Sequence, residues 1–155
     1  MKKQWPSTIV LHCSATKNGK YLDPKTVDKW HKARKFSKIG YHIMIQPDGE
    51  VNHSGNSILR SFTAQGAHVQ GGNKNSLGIC IVGNDKFTEA QFSALRFEII
   101  GLKQLYNIPF YEVRGHYQYK SAQKQGKTCP NMDINRIIYW VVTNDYKALK
   151  PYLRD

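Results

Sequence analysis

Apolar residues along the chain fall into two kinds of block, short continuous runs and stripes spaced three or four apart. Thr8-Ile9-Val10-Leu11-His12 is a β-rich run that predicts a buried strand. Asp23-Pro24 has the form of an N-cap followed by proline at the first helical position. Val27, Trp30, His31 and Arg34 follow at helical spacing, which predicts a helix to about Phe36. Tyr41 to Gln46 predicts a second strand, and Pro47-Asp48-Gly49-Glu50 is turn chemistry that leads into Val51, making a hairpin. From His53 to Asn75 the chain is rich in Gly, Ser and Asn and lacks periodicity, so a long loop is expected.

Leu77-Gly78-Ile79-Cys80-Ile81-Val82-Gly83 is apolar almost throughout, as a central strand covered on both faces should be. Thr88-Glu89-Ala90-Gln91 matches a capping box, and Phe92, Leu95, Ile99, Leu102 and Tyr106 form the stripe of the helix it opens. Tyr111 to His116 predicts a further strand. After a polar loop, Asp133 is placed to cap a last helix carrying Ile134, Ile137, Ile138 and Val141. The order β-α-β-β-loop-β-α-β-loop-α predicts an α/β fold, a single domain over residues 1–155 with a central mixed sheet and helices packed on it.

Composition narrows the class. With 155 residues, 40% hydrophobic and 22% charged, the chain is long enough and apolar enough to bury a core. No stretch approaches the ~20 apolar residues that a membrane-spanning helix needs. The basic start, Met1-Lys2-Lys3-Gln4-Trp5-Pro6, is not followed by an apolar signal region, so synthesis in a cytoplasm without a signal peptide is expected. Three cysteines are too few for a disulfide framework and leave thiols for packing or for a metal. The balance of 23 Lys and Arg against 11 Asp and Glu gives +12, a field that favours polyanions such as nucleic acids or anionic wall polymers. Basic and aromatic residues are not interleaved as in RNA-binding motifs, which disfavours nucleic acid.

The chemistry-bearing residues are few. There is no G-x-S-x-G, Walker, G-x-G-x-x-G or H-E-x-x-H pattern. His12 and His116 each close a predicted strand, and Cys129, followed by Pro130, lies in the loop after His116. Two imidazoles and a thiolate can hold zinc and leave a fourth position free. Residue type and placement alone also allow strand-end histidines bonded to backbone and an inert packed thiol. Alternation along the first predicted strand sends Cys13 to the face opposite His12, and Cys13 and Cys80 read as core.

His12-Cys13-Ser14-Ala15-Thr16, Gly40-Tyr41-His42, Gly66-Ala67-His68, Asn75-Ser76-Leu77-Gly78-Ile79 and Lys127-Thr128-Cys129-Pro130 occur in one order along nearly the whole chain. Together they resemble the T7 lysozyme type of N-acetylmuramoyl-L-alanine amidase, related to the peptidoglycan recognition proteins. Trp30-His31-Lys32 and Pro47-Asp48-Gly49 fit the same pattern. The resemblance implies Zn2+ on His12, His116 and Cys129, Tyr41 and Lys127 as the catalytic pair, and His68 lining a substrate groove. It implies hydrolysis of the amide between N-acetylmuramic acid and L-alanine in peptidoglycan, by a monomer acting on an anionic wall after phage- or prophage-mediated release. No carboxylate base is in view, so proton transfer falls to Tyr41 or to the metal's own hydroxide.

His31 and His42 read as structural, and His53 sits in the long loop. Arg60 and Asn75 flank the expected groove and are candidates for stem-peptide carboxylates or sugar amides. The competing functions are a peptidoglycan-binding module that does not cut and a regulatory contact with an RNA polymerase. With all ligands and both partners present, catalysis is the favoured expectation.

Overall fold

The apolar run near the start of the chain forms β1 (Thr8–Cys13). The rest of the computed structural model, which describes residues 1–154, is built outwards from that strand. The elements that follow are α1 (Pro24–Ala33), β2 (Ile43–Ile45), β3 (Val51–Asn52), β4 (Ser76–Ile81) and α2 (Glu89–Tyr106). Then come β5 (Val113–Gly115), a short α3 (Lys120–Lys124) and α4 (Ile134–Thr143). The five strands form one sheet in the order β3-β2-β4-β1-β5. β1 runs parallel to β4 and β5, β2 runs parallel to β4, and only β3 is antiparallel, joined to β2 by the predicted hairpin. This is the mixed sheet expected, with the apolar β4 near its middle.

Strand alternation sorts the two faces. Ile9, Leu11, Ile43, Ile79 and Val113 pack against Phe92, Leu95 and Ile99 of α2 and Ile137 and Trp140 of α4. On the other face Met44, Cys80 and Val82 meet Leu22, Val27 and Ile39 from α1 and its flanks and Leu59 from the segment between β3 and β4. His12 pairs in register with Cys80, so it belongs to this second, thinner face. Loops rather than a long helix cover that face, which leaves space for a site.

Some elements are shorter than the sequence pattern predicts. α1 stops at Ala33 because Lys35 adopts a left-handed φ of 68° and the Phe36 N–H turns back to the His31 carbonyl at 3.0 Å. Tyr41 and His42 precede β2 instead of opening it. β5 is flanked by single 3-10 turns over Phe110–Glu112 and His116–Gln118, so His116 lies just beyond the strand. The polar stretch after His116 contains α3, which the sequence pattern did not signal.

Candidate metal centre and groove

Register brings the first two candidates together. β1 and β5 are parallel neighbours in which Leu11 faces Gly115, so the next residues along, His12 and His116, emerge side by side. Their ring centroids are 4.6 Å apart. Cys129 arrives from the segment after α3, where the Tyr117 N–H donates to the Cys129 carbonyl at 2.9 Å. The Cys13 N–H donates to Cys129 Sγ at 3.0 Å, tying that sulfur to the end of β1. One donor atom from each of His12, His116 and Cys129 lies within 4.8 Å of the others.

The protonation states suit a metal. Burial, reinforced by His68, His116 and Lys127, holds the His12 pKa well below the usual imidazole value. Burial and then the Lys127 charge lower His116 to about 4. Both rings are therefore neutral at pH 7 and offer lone pairs. A hydrogen bond with Cys13 and burial push the Cys129 thiol up, with the Cys13 N–H working against them. A coordinated cation overrides such a balance, because a coordinating thiol loses its proton. Two neutral imidazoles and one thiol, converging from three segments, fit zinc.

A groove of about 400 Å³ opens beside this cluster, lined by Arg34, Tyr41, His68, Asn73, His116 and Lys127 among others. No Asp or Glu is among the described residues that line it. The Tyr41 ring meets His12 edge-on at 5.2 Å. Burial and the nearby cysteines raise the Tyr41 pKa well above the phenol value, so it retains its proton as a donor. Lys127 is exposed at the rim, and its N–H bonds to the Ala122 carbonyl of α3 at 2.9 Å. The helix that the sequence pattern did not signal thus positions a predicted site residue.

His68 is buried in the groove wall with both ring nitrogens engaged, Nδ1 with His12 Nε2 at 2.9 Å and Nε2 with Ser76 Oγ at 3.1 Å. His31 also lines the groove, while its Nδ1 accepts from the Gly40 N–H at 2.9 Å. His42 is fully buried between Ala64 and Gly78, as a structural residue should be. His53 lies apart, in a turn where its Nδ1 accepts from the Gly55 N–H.

Two sequence expectations fail. Arg60 is buried and donates to the carbonyls of Ile39, Gln65 and Lys38, so its guanidinium holds the loop together and does not face substrate. Asn75, at φ 57°, accepts from the Trp5 N–H and braces the N-terminal segment. Sequence reasoning overlooked Arg34 and Asn73. Arg34 sits at the α1 C-cap, where basic residues are favoured anyway, so nothing in the pattern distinguishes it. Asn73 Oδ1 accepts from both the His68 and Val69 N–H groups at 2.8 Å, a role invisible without the loop's path.

Comparison with known proteins extends the picture. A family model described as N-acetylmuramoyl-L-alanine amidase matches residues 2–132. The endolysin of Escherichia phage T7 is 34% identical over 157 aligned positions, covering 92% of this chain and 95% of that protein. The endolysin of Klebsiella phage KP32 is 33% identical, covering 94% and 95%. Among solved structures, the N-acetylmuramoyl-L-alanine amidase LysC from Clostridium intestinale superposes with a TM-score of 0.74 at 27% identity, covering 90% of this chain and 87% of that one.

Proposed function

The chain belongs to the N-acetylmuramoyl-L-alanine amidase family and acts as such an amidase on peptidoglycan, and we propose that it does so with zinc held by His12, His116 and Cys129. The observation that carries this reading is the convergence of those three donors, within 4.8 Å, beside an open groove. When bound, zinc supplies a Lewis acid that polarises the scissile carbonyl and makes water a competent nucleophile near neutral pH.

The chain's own groups do the rest. Attack on the amide places negative charge on the carbonyl oxygen. Tyr41 as a hydroxyl donor and Lys127 as an ammonium stand on the groove side of the donor cluster, where they stabilise that oxyanion. The departing amine needs a proton and the attacking water must lose one; Tyr41, neutral in the groove lining, is the group that would pass it from one to the other, ending as it began. His68 contributes a wall of the groove. Arg34 and Lys127 give the lining positive charge that suits stem-peptide carboxylates.

As an endolysin-like monomer of one domain, the protein is read as reaching the wall after phage- or prophage-mediated release. Its endolysin relatives support that route. Purified walls digested with zinc-loaded protein should yield new L-alanine amino termini and no new reducing sugar ends. Cys129→Ser and His116→Ala should each abolish the release. Full cutting by zinc-free Cys129→Ser protein would sink the metal mechanism, and walls bound but uncut by wild type would leave a binding module.

A further inference from the structure

Gly78 sits inside β4, where a glycine weakens a strand because it packs no side chain. Its reason lies across the sheet face. A Cβ on Gly78 would stand 2.6 Å from Cγ and 2.8 Å from Nδ1 of His68. A Cβ on Gly66 would stand 2.7 Å from His68 Cδ2 and 2.7 Å from His42 Cε1. The two glycines therefore leave the room in which the His68 ring lies. The backbone of His68 is fixed at the same time by Asn73.

The hydrogen bonds of the seated ring can be ordered from their far end. Ser76 Oγ lies 2.6 Å from the Gly72 carbonyl and 3.2 Å from the Asn73 carbonyl, and both can only accept, so the hydroxyl proton is spent there. Ser76 Oγ is left to accept from His68 Nε2–H at 3.1 Å. A neutral His68 then has its lone pair on Nδ1, which must accept from His12 Nε2–H at 2.9 Å. A neutral His12 in turn has its lone pair on Nδ1. The backbone carbonyls of Gly72 and Asn73 thus decide, through the side chains of Ser76 and His68, which nitrogen of His12 is free to bind a cation.

We propose that His68, seated in the Gly66–Gly78 slot, is a positioning residue that makes His12 present Nδ1 to the metal. The inference rests on the zinc centre proposed above. Partners that take the second N–H of a ligating imidazole fix its tautomer and orientation and raise its basicity, and losing one typically weakens metal binding about 10- to 100-fold.

The test is zinc affinity, measured by competition with a chromophoric chelator, together with the tautomer of His12. His68→Leu should bind zinc about 10- to 100-fold more weakly. His68→Asn, whose Oδ1 can take the place of Nδ1 as acceptor, should restore most of the loss. Gly78→Ala adds one methyl and removes no polar atom, yet should also weaken binding by displacing the ring. In metal-free wild type, long-range proton–nitrogen spectra should show His12 protonated on Nε2. This readout needs no variant to fold. Wild-type zinc affinity in folded His68→Leu, or His12 protonated on Nδ1, would overturn the inference while leaving the zinc centre standing. Wild type that takes up no zinc would overturn both.

Discussion

A buried imidazole is stable only when its two nitrogens have partners that agree on one tautomer, and His42 meets that condition. Its Nδ1 accepts from the Gly78 N–H at 3.0 Å and its Nε2 faces the Ala64 carbonyl at 2.7 Å. Burial lowers its pKa to about 4, so an added proton would confront the Gly78 N–H. Below the unfolded value near ~6.5 the unfolded chain takes up a proton that the folded chain refuses. The stabilisation is therefore complete above about pH 6.5 and is lost as pH falls towards 4, about 3 kcal/mol in all. Urea unfolding at pH 7.5 and 4.5 should show that drop, and His42→Gln should shrink it. Equal pH slopes in the two proteins would refute the assignment. In the groove, Tyr41→Phe and Lys127→Ala should each lower turnover by about 10²–10³-fold if each donates to the oxyanion. Unchanged turnover in muropeptide release would remove that residue from the mechanism. His12, His116 and Cys129 were legible as candidates because their types and ordered motifs mark them. Arg60 was misread because sequence does not show that a guanidinium is already satisfied by three carbonyls.

Elements with local stop and start signals were legible to within a few residues. The capping box of α2 is present in full: Thr88 Oγ accepts from the Gln91 N–H and Gln91 Oε1 accepts from the Thr88 N–H, both at 3.0 Å. Gln91 Nε2 also reaches the carbonyls of Ile45 and Val82 at the ends of β2 and β4, so the cap docks the helix on the sheet. Thr88→Ala should cost about 1 kcal/mol, seen as a melting point about 2–4 °C lower. No shift would mean that the cap does not contribute. α3 carried no such signal. It is five residues long, polar, and held by contacts from elsewhere: buried Ala122, and Ser121 Oγ donating to the Gln70 carbonyl at 2.6 Å. A helix that short is set by docking rather than by propensity. The same reason shortens β5, which has a single partner strand, β1, over three residues.

At the scale of the whole molecule, a net charge of +12 predicts long-range attraction to any anionic polymer of the wall before groove contacts form. Raising salt from about 0.05 M to 0.5 M shortens the screening length from roughly 14 Å to roughly 4 Å. Lysis of whole walls should slow over that range while hydrolysis of a small neutral muropeptide changes little; equal slowing of both would argue against long-range attraction. No helix among the described residues is long and apolar enough to cross a membrane, in agreement with the sequence. By itself the sequence determined the α/β class, the order of the elements apart from α3, and the three donor types, because hydrophobic period, caps and motif order are written locally along the chain. Tertiary structure decided what depends on residues far apart. It set His12 beside His116 through the β1–β5 register, brought Cys129 in through the Cys13 N–H, and closed the Arg60 guanidinium off from the groove. It also placed His68 in a slot between glycines 12 residues apart in sequence, at positions 66 and 78. The tautomer proposed for His12 follows from that packing, since a tautomer is set by the partner across the gap and not by the residue that carries it.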